Sequence, residues 1–247
     1  MNVLAAMAGI NNGEFCKKFT KQGVDIITLG GYNIELDTFK AGLEIMTSDD
    51  NDRKEFFTCP HHLSEDITEE ATIIREFNPS WNGKISVNLR GIDPNSFKVV
   101  YSNDNVDIIE VNAHCRQEPM IKANAGQKLL EDTEQLSKIL EEVTNNSGKE
   151  ISVKIRTNVE NVDTLKIIEL LNSYNIDYIH VDATKPGVME ADYDMINKIS
   201  QNTNIHIIGN NCVTAHEDYL KMLDSGANSV SVARAALNGD IGHIFGN

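Results

Sequence analysis

Residues 106–120 read VDIIEVNAHCRQEPM, and this stretch decides the fold. Val106–Val111 is a nearly continuous apolar run, the pattern of a parallel strand buried on both faces. It then delivers an amide, an imidazole and a thiol, Asn112, His114 and Cys115, followed by a polar cluster. A buried strand with chemistry collected at its C-terminal end belongs to an α/β architecture.

Seven further runs share this character: NVLAAMAG (2–9), VDIITLG (24–30), ISVNLRG (85–91), ISVKIR (151–156), YIHVDA (178–183), IHIIGNN (205–211) and SVSVARA (229–235). Helical spacing of apolar residues marks 64–77, 126–145, 162–174, 191–202 and 215–225, with Ser64 placed as an N-cap and Gly226 as a stop. Eight β/α units in 247 residues predict one α/β domain over 1–247, a single (β/α)8 TIM barrel. A doubly wound open sheet is the alternative. The connection 31–84 is too long for one crossover and reads as an excursion after strand 2, beside the barrel mouth. Its most polar part is TSDDNDRKEF, residues 47–56.

Composition narrows the function. A formal net charge of −15 repels polyanions, which argues against nucleic acid as a partner. The absence of a long apolar run argues against a membrane span, and the N-terminus lacks the basic region of a secretory signal. The four cysteines, Cys16, Cys59, Cys115 and Cys212, have neither zinc-ligand nor disulfide-framework spacing, so no metal site is expected. Reduced thiols and a cytoplasmic location follow as expectations.

Catalytic residues of a barrel sit at the C-terminal strand ends. In order these are Met7-Ala8-Gly9, Gly30-Gly31, Asn88 with Arg90, Asn112 with His114 and Cys115, Lys154 with Arg156, His180 with Asp182, Gly209-Asn210-Asn211, and Arg234. Each alone is ordinary, a turn former, a surface charge or an inert thiol. Together they form a polar ring suited to a planar ligand, with the last two βα turns in the usual phosphate position.

The sequence resembles the flavin-dependent tRNA-dihydrouridine synthases, and more narrowly a short archaeal branch related to them. AAMAGINNGEF resembles the family's APMAGVTD..F, VDIIEVNAHC its D.IDINMGCP and ISVKIR its VTVKIR. YIHVDA resembles I.VHGRT, IHIIGNNCV resembles PVIGNGDI, and the end of the barrel resembles GADGVMIGRGAL. The resemblance implies FMN as cofactor, with Met7, Ala8 and Gly9 along the ring and Asn88 in place of a ring-edge Gln. It also implies Asn112 beside flavin and substrate, Lys154 near the flavin N1/O2 edge and His180 near ring and phosphate. Gly209, Asn210, Ala233 and Arg234 fall on the phosphate turns, and Cys115 on the cysteine that protonates uracil C5 during hydride transfer. A thiol with a pKa of ~8.5 can serve as that acid, and His114 and Arg116 beside it are expected to favour thiolate.

Four departures stand out: HCR for GCP, HVD for HGR, GNNCV for GNGDI and ARA for GRG. His114, Arg116 and Asp182 are therefore candidate substrate contacts, and the family's C-terminal helical domain for holding tRNA is expected to be absent. Three functions follow. The first is a flavin oxidoreductase acting on a C=C bond of a uracil-like or similar small molecule, reduced by a nicotinamide or other donor. The second is a tRNA-dihydrouridine synthase, which the acidic charge disfavours. The third is a barrel without FMN, serving as a non-redox enzyme or binding protein.

Overall fold

The computed structural model describes residues 1–48 and 54–246. The strands are β1 (Asn2–Leu4), β2 (Ile26–Asn33), β3 (Lys84–Arg90), β4 (Ile108–Ala113), β5 (Glu150–Arg156), β6 (Tyr178–Asp182), β7 (His206–Asn210) and β8 (Ser229–Val232). They pair in parallel and in chain order, and β1 closes on β8 through Asn2↔Val230, Val3↔Ser231 and Leu4↔Val232. The expected TIM barrel is thus the observed one, and an open sheet is excluded.

Among the described residues the helices are α1 (Gly13–Cys16), α2 (Leu36–Thr47), α3 (Leu63–Phe77), α4 (Glu118–Lys122), α5 (Thr133–Asn146), α6 (Thr164–Leu171), α7 (Tyr193–Ser200), α8 (His216–Asp224) and α9 (Gly242–Phe245). Several boundaries depart from the sequence reading, each for a local reason. The pattern over 126–145 splits into a 3-10 turn, Gly126–Leu130, and α5, because the Asp132 side chain accepts from Gln135 N and starts a new helix. Ser64 is not the cap of α3: the helix starts at Leu63, and Ser64 instead accepts from Asn103 Nδ2 through its carbonyl at 2.8 Å. After β3 the covering element is only a 3-10 stretch, Pro94–Val100, begun by the Asp93 cap on Asn95 N. β1 ends at Leu4 because the chain turns at Met7, whose carbonyl accepts from Ile10 N and Asn11 N.

Alternation explains the deceptive apolar runs. Outward residues such as Val87, Leu89, Ile109, Val111, Val153 and Ile155 join the helices in one continuous core. Inward residues form layers instead. Val3, Ile26, Ile108, Tyr178 and Ile208 make a small apolar layer, below which Lys84 meets Glu150 at 2.6 Å and Tyr178 donates to Glu150 at 2.8 Å. Above it the barrel interior is polar.

The excursion 31–84 holds the end of β2, then α2 and α3. Its acidic centre, residues 49–53, lies outside the described residues. The stretch beyond it borders the mouth. Glu55 pairs with Arg90 at the end of β3, and Phe56 packs on Tyr32 with ring centroids 4.9 Å apart. A Cβ on Gly9, whose φ is +67°, would lie 2.4 Å from the Lys54 backbone, so glycine is required where this stretch crosses the first strand turn.

Candidate active site

The strand-end residues assemble into a single hydrogen-bonded chain across the barrel. Asn112 Nδ2 donates to Asn88 Oδ1 at 2.8 Å, and Asn88 Nδ2 donates to Glu110 Oε1 at 2.7 Å. The other Glu110 oxygen meets His180 Nδ1 at 2.6 Å and accepts from Ser152 Oγ at 3.1 Å. His180 Nε2 lies 2.7 Å from Ser231 Oγ, which accepts from Asn210 Nδ2 at 2.6 Å. Asn88, Glu110, His180 and Ser231 are all buried. A network this enclosed holds together only when every member has a partner.

Electrostatics assigns the protons. Burial works against ionisation of Glu110, but His180, Lys154 and the Asn88 amide outweigh it and hold the carboxyl well below its ordinary range. Burial, reinforced by Lys154, pushes the His180 imidazole down. The consistent arrangement is a neutral His180 whose Nδ1–H donates to the Glu110 carboxylate. Its Nε2 then accepts from the Ser231 hydroxyl.

Lys154 differs from its neighbours. It is 2% exposed, and its ammonium has no hydrogen-bond or ion-pair partner among the described residues. Burial pushes its pKa down while Glu110 and Asp182 hold it up. Above it Arg156 donates to Asp182 at 2.8 Å, to Thr184 Oγ1, and through Nε to the His114 carbonyl at 3.2 Å. His114 stands 3.8 Å from Asp182, yet burial and the cations Lys154 and Arg156 push its pKa well below the ordinary value. Its contact with Asp182 is therefore not an ion pair at neutral pH, and His114 does not supply the positive charge near Cys115 that the sequence suggested. Arg116 is exposed.

These placements revise several sequence-derived roles. Asn88 and His180 are tied on both sides and form the floor, rather than presenting free groups at the mouth. Asn112 Oδ1 accepts from Cys115 N at 3.0 Å, so this amide shapes the turn that carries the thiol. Gly209 faces outward: a Cβ there would lie 2.4 Å from Met222 of α8, so its lack of a side chain serves packing. Asn210 spends its amide on Ser231. Arg234 is exposed at the start of a 3-10 turn, Arg234–Asn238, and Ala233, the residue before it, offers no side-chain cap. Met7, Ala8 and Gly9 are half-buried at the mouth. Glu110, Ser152, Ser231 and Glu55 were not singled out from the sequence. A carboxylate inside an apolar run, as in IIEV, was the available signal for Glu110.

The neutral histidines predict an acid sensitivity. An imidazole whose folded pKa is depressed takes up a proton first in the unfolded chain, so stability is full above ~6.5 and falls as pH drops below it. His180 and His114 together should remove up to about 2.7 kcal/mol per pH unit below that point. Glu110, depressed as a carboxylate, adds a loss of the same sign below ~4.3. Urea midpoints that stay flat from pH 7 to ~5 would contradict the assigned protons.

The sequence profile described as dihydrouridine synthase (Dus) matches residues 60–239. The chain belongs to the dihydrouridine synthase family. It is 36% identical over 245 residues to an uncharacterized protein of Methanocaldococcus jannaschii, covering 97% of this chain and 90% of that one. It is 28% identical over 160 residues to tRNA-dihydrouridine synthase B of Proteus vulgaris, covering 61% of this chain. The matched part is 50% of that relative, so the chain spans about half the length of the family members with a named activity. Among solved structures, a FabK mutant from Thermotoga maritima superimposes with a TM-score of 0.58 at 12% identity, over 95% of this chain and 61% of that one. That likeness is one of fold. Among the described residues no helix is long and apolar enough to cross a membrane.

Proposed function

We propose that this family member is an FMN-dependent oxidoreductase acting on a C=C bond of a uracil-like or similar small ring, with Cys115 as proton donor. The observation that carries the reading is Lys154. The residue is 2% exposed overall and its ammonium makes no hydrogen bond or ion pair among the described residues, which leaves it free to meet an anionic or strongly accepting ligand group. FMN offers such a group at the polar edge of its ring, and the uncapped turn at Ala233-Arg234 suits its phosphate. The residues present therefore fit the cofactor at both ends, although Gly209 and Asn210 contribute to the frame more than to direct contact.

When bound, FMN supplies the hydride chemistry. Lys154 would favour negative charge at the ring edge, and Asn112 holds the Cys115 turn. Glu110 and His180 keep Asn88 and Asn112 rigid from beneath. Cys115 would hand its proton to the other carbon of the same C=C bond, next to the one that takes the hydride. A reduced nicotinamide or another two-electron donor is the proposed partner. The −15 charge favours a small substrate over tRNA, and tRNA binding that weakens steeply with salt would overturn that preference.

The test is an FMN titration followed by flavin fluorescence. Lys154→Ala should weaken binding by roughly 10- to 150-fold, the worth of about 1.5–3 kcal/mol for a hydrogen bond to a charged group. Equal affinity in the two proteins, or no flavin binding by the wild type, would reject the reading.

A further inference from the structure

Cys115 leaves β4 on a turn whose backbone groups lie outside the strand ladder, so each needs a partner of its own. His114 N and Cys115 N both donate to Asn112 Oδ1, at 3.2 and 3.0 Å. The Cys115 carbonyl accepts from Gln127 N at 2.9 Å. That approach is close: a Cβ on Gly126, whose φ is +62°, would lie 2.3 Å from the same carbonyl oxygen. The fourth group, the His114 carbonyl, accepts from Arg156 Nε at 3.2 Å. Arg156 ends β5, so this bond ties the turn to the neighbouring strand.

A long arginine side chain aims its Nε only as well as its other N–H groups are held. Here Asp182 holds them. Arg156 Nη2 meets Asp182 Oδ2 at 2.8 Å, Arg156 Nη1 donates to Thr184 Oγ1, and the Thr184 hydroxyl donates to Asp182 Oδ1 at 2.8 Å. The three side chains close a ring that fixes the plane of the guanidinium. The ring is well enclosed, with the Asp182 and Arg156 side chains 10% and 14% exposed. The backbone under Asp182 is fixed as well. Its carbonyl accepts from Thr157 N at 3.1 Å, and Ala183 N donates to the Asn210 carbonyl at 3.0 Å. Two departures from the family pattern, HCR and HVD, therefore meet on one guanidinium: His114 through its carbonyl and Asp182 through its carboxylate. Asp182 spends both carboxylate oxygens inside the protein, which turns a candidate substrate contact into part of the frame.

We propose that Asp182 is a positioning residue for Cys115, acting through Arg156. With the carboxylate in place, the guanidinium is locked and the His114 carbonyl stays anchored to β5. Without it, Arg156 loses its orientation and the turn that presents the thiol loosens. The hold on the turn is a matter of geometry alone, while its importance for turnover rests on the reading of Cys115 as proton donor.

Hydrogen–deuterium exchange of the flavin-free protein, read peptide by peptide with mass spectrometry, tests this. Asp182→Asn should speed exchange in the peptides that carry the His114, Cys115 and Gln127 amides by roughly tenfold or more, the worth of one hydrogen bond to a charged group. Peptides from α5 and β2 should exchange as in the wild type. Asp182→Glu, which keeps the charge, should lie closer to the wild type than Asp182→Asn does. Arg156→Lys keeps a cation but cannot bridge three partners, so it should loosen the turn by itself. Adding Asp182→Asn to Arg156→Lys should then change the turn no further, because the carboxylate acts through the guanidinium. Unchanged exchange at the turn in Asp182→Asn would overturn the proposal. So would an equal rise in α5 and β2, or a further rise on top of Arg156→Lys. If Asp182→Asn lacks native near-UV circular dichroism, Thr184→Val carries the comparison. It keeps both charges, removes the hydroxyl between them, and should loosen the same peptides; unchanged exchange there would again overturn the proposal. No flavin or substrate enters the measurement, so this inference and the FMN reading fall separately.

Discussion

Replacing Glu110 with alanine should destabilise the barrel by at least about 3 kcal/mol, since each buried donor left without its acceptor costs about 1–3 kcal/mol. Three donors converge on this carboxylate: the Asn88 amide, the Ser152 hydroxyl and the His180 ring. Alanine would leave all three without an acceptor in a closed interior, and Lys154 without its nearest negative charge. Glu110→Gln separates charge from connectivity. Its oxygen still accepts from one donor, while its NH2 would face another. His180 can answer by moving its proton to Nε2, so the amide should cost less than alanine, about 1–3 kcal/mol. Urea unfolding measures both. A loss below ~1 kcal/mol for Glu110→Ala would show that water satisfies these groups and that the network is not the frame of the site.

This network also shows where the sequence was legible and where it was not. Strand identity was readable because β4 to β6 are buried on both faces, which leaves long apolar runs bounded by polar ends. Chain order and closure followed from eight such units. What the runs concealed is that inward and outward faces differ: Ile109 and Val111 pack on helices, while Glu110 and Asn112 point into the barrel. A strand-end rule collected Asn88, Asn112, Lys154 and His180 correctly as neighbours. It could not tell which of them spend their polar atoms on each other. Only Lys154 among these four has a side chain with no hydrogen-bond partner among the described residues, and that distinction depends on distances across strands. Glu55 was hidden for a different reason. Its partner Arg90 is 35 residues away, and nothing in KEFF marks a carboxylate that will be buried.

Cys115→Ala should leave FMN affinity and flavin reduction by an external donor nearly intact, while substrate turnover falls by roughly 10²–10⁴, the range for a positioned acid or base. The separation follows from the geometry. Cys115 contributes no hydrogen bond to the Glu110–His180 floor, and its backbone N–H on Asn112 survives the substitution. Its side chain packs at the edge of a small apolar cluster with Ile92 and Ala123, so truncation should cost only about 1 kcal/mol of stability. A thiol serving as packing alone would reverse the pattern, with stability moving and rate unchanged. Cys115→Ser sharpens the test, since the hydroxyl keeps nearly the same size but is a far weaker acid near neutral pH. Serine should therefore be almost as slow as alanine if proton donation is the role, and nearly as fast as wild type if volume is the role. Single-turnover oxidation of reduced flavin by substrate is the deciding measurement, because it isolates the step in which the proton moves. A normal rate in Cys115→Ala would remove the thiol from the chemistry and leave Asn112 and Lys154 as the candidates to hold a substrate protonated from solvent.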